Sequence, residues 1–223
     1  MKILNHQGWH LALLVVLLGL VYWSIELFPE YLVGELWCIS SKNWLFLTIS
    51  VPIVHQVYVL ICWRTELYYK GLSSLLGNYS FGVYKIGFAF LFLLRPITVT
   101  ILAFANKNTL ALKPTLSLTL SGLFLVLSGY LFYSVKTYFG INRAFGIDHF
   151  KPEVYKDKPM VNQGIFKYTS NGMYIFGFLV LYVPGLLLFS KAALLAAFFN
   201  HLYIWVHYYF TELPDIKVIY KKT

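Results

Sequence analysis

The sequence predicts an all-α polytopic membrane protein with about six transmembrane helices and a C-terminal helical hairpin. Three observations carry this. Of the 223 residues, 59% are apolar and only 12% are charged, whereas a soluble domain has about a quarter of its residues charged. The apolar residues fall in runs close to the roughly 20 residues that cross a bilayer. The last two runs are separated by only Ser190-Lys191. Aromatic residues make up 19% of the chain, which excludes a disordered polymer. Two cysteines, Cys38 and Cys62, exclude a disulfide scaffold and a four-thiolate zinc site.

The first span runs from Trp9 to about Phe28. It is too long and too aromatic for a signal-peptide core, and no small-residue cleavage site follows it. The second runs from Trp44 to Trp63, between Lys42 and Arg64. The third, from about Phe81 to Ala105, carries Arg95-Pro96 inside it, and the fourth runs from about Thr115 to Val135. A polar insert from Lys136 to Asn171 follows. Met173 to Phe189 and Ala192 to Phe210 then form a tight antiparallel pair, because so short a connection allows no other arrangement. Residues 1–135 are read as N-terminal transmembrane helices. Residues 136–223 are read as a cytoplasmic loop, hairpin and terminal segment that form the core of the same single membrane domain.

Basic residues orient the spans. With six crossings, one side holds Lys2, Arg64, Lys70, Lys136, Arg143, Lys151, Lys156, Lys158, Lys167, Lys217, Lys221 and Lys222. The other holds Lys42, Lys107, Lys113 and Lys191. Both termini and the long loop are therefore expected in the cytoplasm. A net charge of +9, concentrated on that side, points to an anionic lipid surface as partner and to no nucleic acid.

Four features rise above the apolar background. The loop Gly140-Ile-Asn-Arg-Ala-Phe-Gly-Ile-Asp-His-Phe150 brackets Arg143 between two glycines and ends in the pair Asp148-His149. The segment Gly164-Ile-Phe-Lys-Tyr-Thr-Ser-Asn-Gly-Met-Tyr174 leads into the fifth span, and helix-start amides near Asn171 favour anionic groups. In the last span His201, Trp205, Tyr208 and Glu212 recur at helical spacing, with Asn200, His207 and Thr211 on a neighbouring stripe. Polar groups within a span face protein or a water-filled cavity. The end, Thr211-Glu212-Leu-Pro-Asp215, places Pro214 where it is expected to stop the helix, with Lys217 near enough to answer the acids. No paired His or Cys set suggests a metal, and no Walker loop or nucleophile elbow is present.

In combination these parts resemble the integral-membrane methyltransferases, the superfamily of phosphatidylethanolamine N-methyltransferases and isoprenylcysteine carboxyl methyltransferases. The resemblance spans Tyr138 to Tyr220. Gly164, Phe166, Tyr168, Asn171, Met173 and Tyr174 match the family's Gly-aromatic motif, with Ser170 in place of its Arg and Gly172 in place of its Pro. Of the family's terminal acid pair only Glu212 is kept, Thr211 replacing the other. The tail Glu212, Pro214, Ile219, Tyr220 is nearer the phospholipid branch.

The resemblance implies S-adenosylmethionine as methyl donor, in a cytoplasm-facing pocket, and a lipid acceptor arriving from the bilayer. The donor site would draw on Gly164, Tyr168, Asn171, Gly172, Met173, Tyr174, His201, Trp205, Tyr208 and Glu212. Glu212 would hold the donor's ammonium, and the aromatic rings would face its sulfonium or adenine. An amine acceptor must first lose a proton, and His149, Asp148 and Glu212 are the candidate bases. Arg143 and Lys167 are the candidate cations for a carboxylate acceptor. The expected reaction is methylation of a phospholipid amine, phosphatidylethanolamine first. Carboxyl methylation of a prenylated cysteine and a non-enzymatic membrane scaffold stay open as alternatives.

Overall fold

The computed structural model describes residues 2–220. The chain is almost wholly helical. Helix α1 spans Gln7–Leu27, α2 Ser41–Tyr69, α3 Gly71–Leu76, α4 Ser80–Ala105 and α5 Pro114–Ser134. A two-stranded hairpin, β1 (Glu35–Leu36) and β2 (Ile39–Ser40), closes the α1–α2 connection. Short helices α6 (Ile141–Ala144), α7 (Ile147–Phe150) and α8 (Pro152–Tyr155) build the long loop. The hairpin follows as α9 (Gly172–Phe176), α10 (Tyr182–Leu187) and α11 (Lys191–His207), and α12 (Leu213–Ile219) ends the described chain. Lys221 and Lys222, counted above among the basic residues of one side, lie outside the described residues.

Among the described residues, four helical segments, Lys2–Leu27, Ser41–Tyr69, Gly71–Ala105 and Pro114–Phe139, are long and apolar enough to cross a membrane. Their outward faces are oily: Val15, Ile86, Leu118 and Val126 are all exposed, as lipid-facing positions must be. The hairpin limbs are shorter. The first is broken by a 3-10 stretch at Gly177–Leu181 between α9 and α10. Non-helical backbone within a membrane survives only where protein satisfies it, and α5 supplies the partners. Ser117 Oγ donates to the Leu186 carbonyl at 2.7 Å, and Ser128 Oγ donates to the Phe176 carbonyl at 2.8 Å.

At the hairpin tip, Ser190 caps α11 by accepting from the Ala193 amide. Asn106, fully buried at the end of α4, ties three connections together. Its amide donates to the carbonyls of Glu30 and Val33, both at 2.8 Å. Its oxygen accepts from Ser190 Oγ, the Ala192 amide and Thr109 Oγ1. The main core lies between α1, α2, α4 and α11, where Ala192, Ala196, Leu45, Leu102 and Tyr203 are almost completely buried.

One sequence expectation is corrected here. Pro214 does not stop the last helix. The helix widens into a π-turn at Tyr208–Glu212 and continues as α12, with Pro214 in the first turn. A proline there withholds an amide hydrogen from the carbonyl four residues earlier, Phe210. Side chains take that place: Arg64 donates to Phe210 O at 3.0 Å and Gln7 donates to it at 2.9 Å.

Candidate functional site

The site begins with two loop turns that only certain residues allow. Gly146 has φ +81°, and a Cβ there would run into the Trp63 ring. Its absence lets α7 lie against α2. His149 then stacks on Trp63, with ring centres 4.0 Å apart and planes 18° from parallel. Gly164 has φ +59°, and a Cβ would stand 2.6 Å from Ser134 Oγ. That oxygen instead accepts the Ile165 amide at 3.1 Å, which holds the segment before α9 against the end of α5.

Around His149 runs a chain of polar contacts linking the loop to both ends of the fold. Arg143 donates to Tyr220 Oη at 3.1 Å, and Tyr220 donates to Asp148 Oδ2 at 2.9 Å. The other Asp148 oxygen pairs with His149 Nδ1 at 3.1 Å. His149 Nε2 faces Asp215 at 3.7 Å. Asp215 pairs with Arg64 Nε at 3.2 Å. Arg64, in turn, donates to the carbonyls of Ile3 and Asn5 as well as to that of Phe210. Arg64, Asp148, His149 and Asp215 are all buried.

The electrostatics follow from these neighbours. Burial opposes charge on His149, but Asp148 and Asp215 outweigh it and raise the imidazole to about 9. At neutral pH His149 is thus an imidazolium with no lone pair for a proton. Burial also opposes charge on Asp148, yet His149, Tyr220 and Arg143 hold its carboxyl below the usual range. Glu212 behaves differently. Burial raises its carboxyl to about 7, against the hydrogen bond from Tyr174 and the charge of His149. Asp148 and Asp215 add to the rise. Among the described residues Glu212 forms no direct ion pair.

Glu212 also sits at one end of an aromatic group. The Tyr174 ring lies 4.8 Å from Tyr208 and 5.6 Å from Trp205. Tyr174 is buried on α9, which begins at Gly172, where any Cβ would press on Ile165 at 3.1 Å. The Asn171 carbonyl accepts the Tyr174 and Ile175 amides and starts that helix. The hairpin thus brings Tyr174, Trp205, Tyr208 and Glu212 together.

Other sequence candidates stand apart. Tyr168 is 76% exposed. Met173 packs into the apolar cluster of Leu131, Ile165 and Phe166. His201 accompanies Tyr182, 3.3 Å from its hydroxyl, and stacks on Phe178. The neighbouring stripe, Asn200, His207 and Thr211, is buried in the bundle, where His207 meets the rings of His10 and Trp63.

Trp63, Arg64 and Asp215 were not among the sequence candidates. Arg64 reads there as one more charge at a span end, and Asp215 as an acid answered by Lys217. A cation directly after an apolar run, in a chain with few acids, was the available signal.

Comparison with known proteins adds one finding. No curated protein and no solved structure matches the chain. Residues 116–223 match the phospholipid methyltransferase family, so the match takes in all but the first two residues of α5 as well as the loop, hairpin and tail. That segment, just under half of the chain, is similar to the phospholipid methyltransferases, which is consistent with the phospholipid branch of the integral-membrane methyltransferases.

Proposed function

We propose that the protein transfers a methyl group from S-adenosylmethionine to the amine of a membrane phospholipid, phosphatidylethanolamine being the first candidate. The observation that carries this is Glu212, a carboxyl with no direct ion pair among the described residues, which closes an aromatic group on a hairpin that matches the phospholipid methyltransferase family. A desolvated carboxylate without a cation is a site for one. The residues fit the donor's chemistry: Glu212 suits its ammonium end, and the faces of Tyr174, Trp205 and Tyr208 suit a sulfonium or a purine. The donor supplies an electrophilic methyl group, and the protein's share is largely positioning and exclusion of water.

In this reading the Asp148–His149–Asp215–Arg64 chain is a positioning device. It fixes α7 and α12 on α2 and so holds Glu212 at the pocket. With His149 raised to about 9 and the Asp148 carboxyl held below its usual range, neither is suited to take a proton from an ammonium acceptor at neutral pH. The acceptor then reacts as its free-amine fraction, and turnover rises with pH. In this reading both termini and the 136–171 loop face the cytoplasm, which the distribution of basic residues supports.

Two measurements test the proposal. Calorimetric titration of purified protein with S-adenosylmethionine is expected to show binding, and its absence removes the enzyme reading. A radiolabelled-methyl assay is expected to label phosphatidylethanolamine. Labelling of a prenylcysteine analogue alone would overturn the acceptor.

A further inference from the structure

One cleft is lined by none of Tyr174, Trp205, Tyr208 and Glu212. It is an open cleft of about 480 Å³ at the end of α5, where Lys136, Asn142, Arg143 and Lys158 meet the rings of Phe139 and Tyr155. That volume lies within the range of small-molecule sites. Among the described residues, three of its walls are cationic and none is a carboxylate. Of the acids on the same stretch, Glu153 pairs with Lys156 at 2.7 Å, Asp148 is buried against His149 and Tyr220, and neither these nor Asp157 line the cleft.

The cations are held in place. The Arg143 guanidinium lies 5.1 Å from the Phe139 ring centre and 5.5 Å from that of Tyr220, and it is fixed by its bond to the Tyr220 hydroxyl. Lys158 Nζ stands 4.2 Å over the Tyr155 ring. Stacked cations lose little freedom when they accept an anion. Position matters equally. Lys136 and Phe139 close one of the four bilayer-length helices, 114–139, so the cleft opens at the level where lipid phosphates lie.

We propose that this cleft binds the headgroup of an anionic phospholipid ending in a phosphomonoester, at a site separate from the donor pocket. A phosphomonoester carries close to two negative charges at neutral pH, which suits three converging cations. Its phosphate oxygens accept from Lys136, Arg143 and Lys158, while the glycerol and chains stay in the leaflet beside α5. The proposal rests on the membrane reading and not on methyl transfer.

The test uses the full chain reconstituted in phosphatidylcholine nanodiscs with a photoactivatable phosphatidate whose diazirine sits near the glycerol. Cross-links are mapped to peptides. Labelling is expected within 136–158. It should fall about thirtyfold in the double variant Lys136→Gln/Lys158→Gln, the order expected when two surface cations are lost. It should persist in Lys136→Arg/Lys158→Arg, which keeps the charge. Equal labelling by a photoactivatable phosphatidylcholine, or labelling indifferent to the Gln pair, would overturn the proposal. Displacement by inorganic phosphate as effectively as by unlabelled phosphatidate would assign the cleft to free phosphate and overturn the lipid. Glu212→Ala is expected to label normally, so failure of the methyl-transfer reading and failure of this one are distinguishable.

Discussion

Glu212 and Asp215 are three residues apart on one helical stretch, yet their surroundings give them different tasks. Asp215 meets Arg64 and His149 directly, whereas Glu212 meets a tyrosine and has its carboxyl raised to about 7. A group in that range takes up a proton just below neutrality. Donor affinity is therefore expected to fall as pH drops below about 7, and calorimetry across a pH series checks it. Glu212→Ala should weaken the donor at least tenfold at pH 8 with the fold intact. Unchanged affinity would take Glu212 out of the site.

Arg64→Ala tests the other acid. It leaves the fully buried Asp215 with only the more distant His149 and the Tyr68 hydroxyl, and breaking a buried pair costs about 3–5 kcal/mol. A large drop in thermal unfolding temperature in detergent is the expected outcome, and a silent substitution would show that the pair is not structural. His149 adds a pH signature. Its folded pKa, about 9, exceeds the ordinary 6.5. The stability it contributes is complete below about 6.5 and is lost as pH rises through about 9, on the order of 3 kcal/mol in all. Unfolding temperature should decline over that window, and His149→Gln should flatten the decline.

Among the elements, the short helix α7 depends most on a single residue. Gly146 allows it to reach Trp63 because φ is +81° and there is no side chain to meet the indole. Gly146→Ala adds both a left-handed strain of about 1–2 kcal/mol and a clash with the ring. Hydrogen exchange should then show lost protection from 140 to 150, while α5 keeps its own. Protection unchanged across the loop would mean the stacking on Trp63 does not anchor it. The terminal helix gives a different lesson. Its π-turn and Pro214 free backbone carbonyls, and Arg64 and Gln7, from opposite ends of the sequence, satisfy them. A rule that stops helices at proline reads only local backbone, and so it missed a continuation stabilised by distant side chains.

For the molecule as a whole, the distribution of basic residues predicts that both termini share a side with the 136–171 loop. Single cysteines introduced at Lys156 and Lys217 should react with a membrane-impermeant thiol reagent from the same face, and labelling from opposite faces would break the topology. The all-α class and the apolar helices were legible in the sequence, because a bilayer demands long apolar runs whatever their partners. So was the hairpin, since a two-residue connection leaves one arrangement open. The resemblance of the tail was legible from Gly164, Tyr174 and Glu212, which the family match now supports at the level of the segment. What only the tertiary structure decided is which of those residues meet. Tyr174 joins Glu212 while Tyr168 points outward, His149 lies between Asp148 and Asp215, and Arg64 enters from a helix 151 positions before Asp215. Periodicity fixes the face a residue occupies on its own helix. A buried charge, however, takes its state from whichever neighbours packing brings within a few ångströms, and those neighbours come from α2, α7 and α12 together.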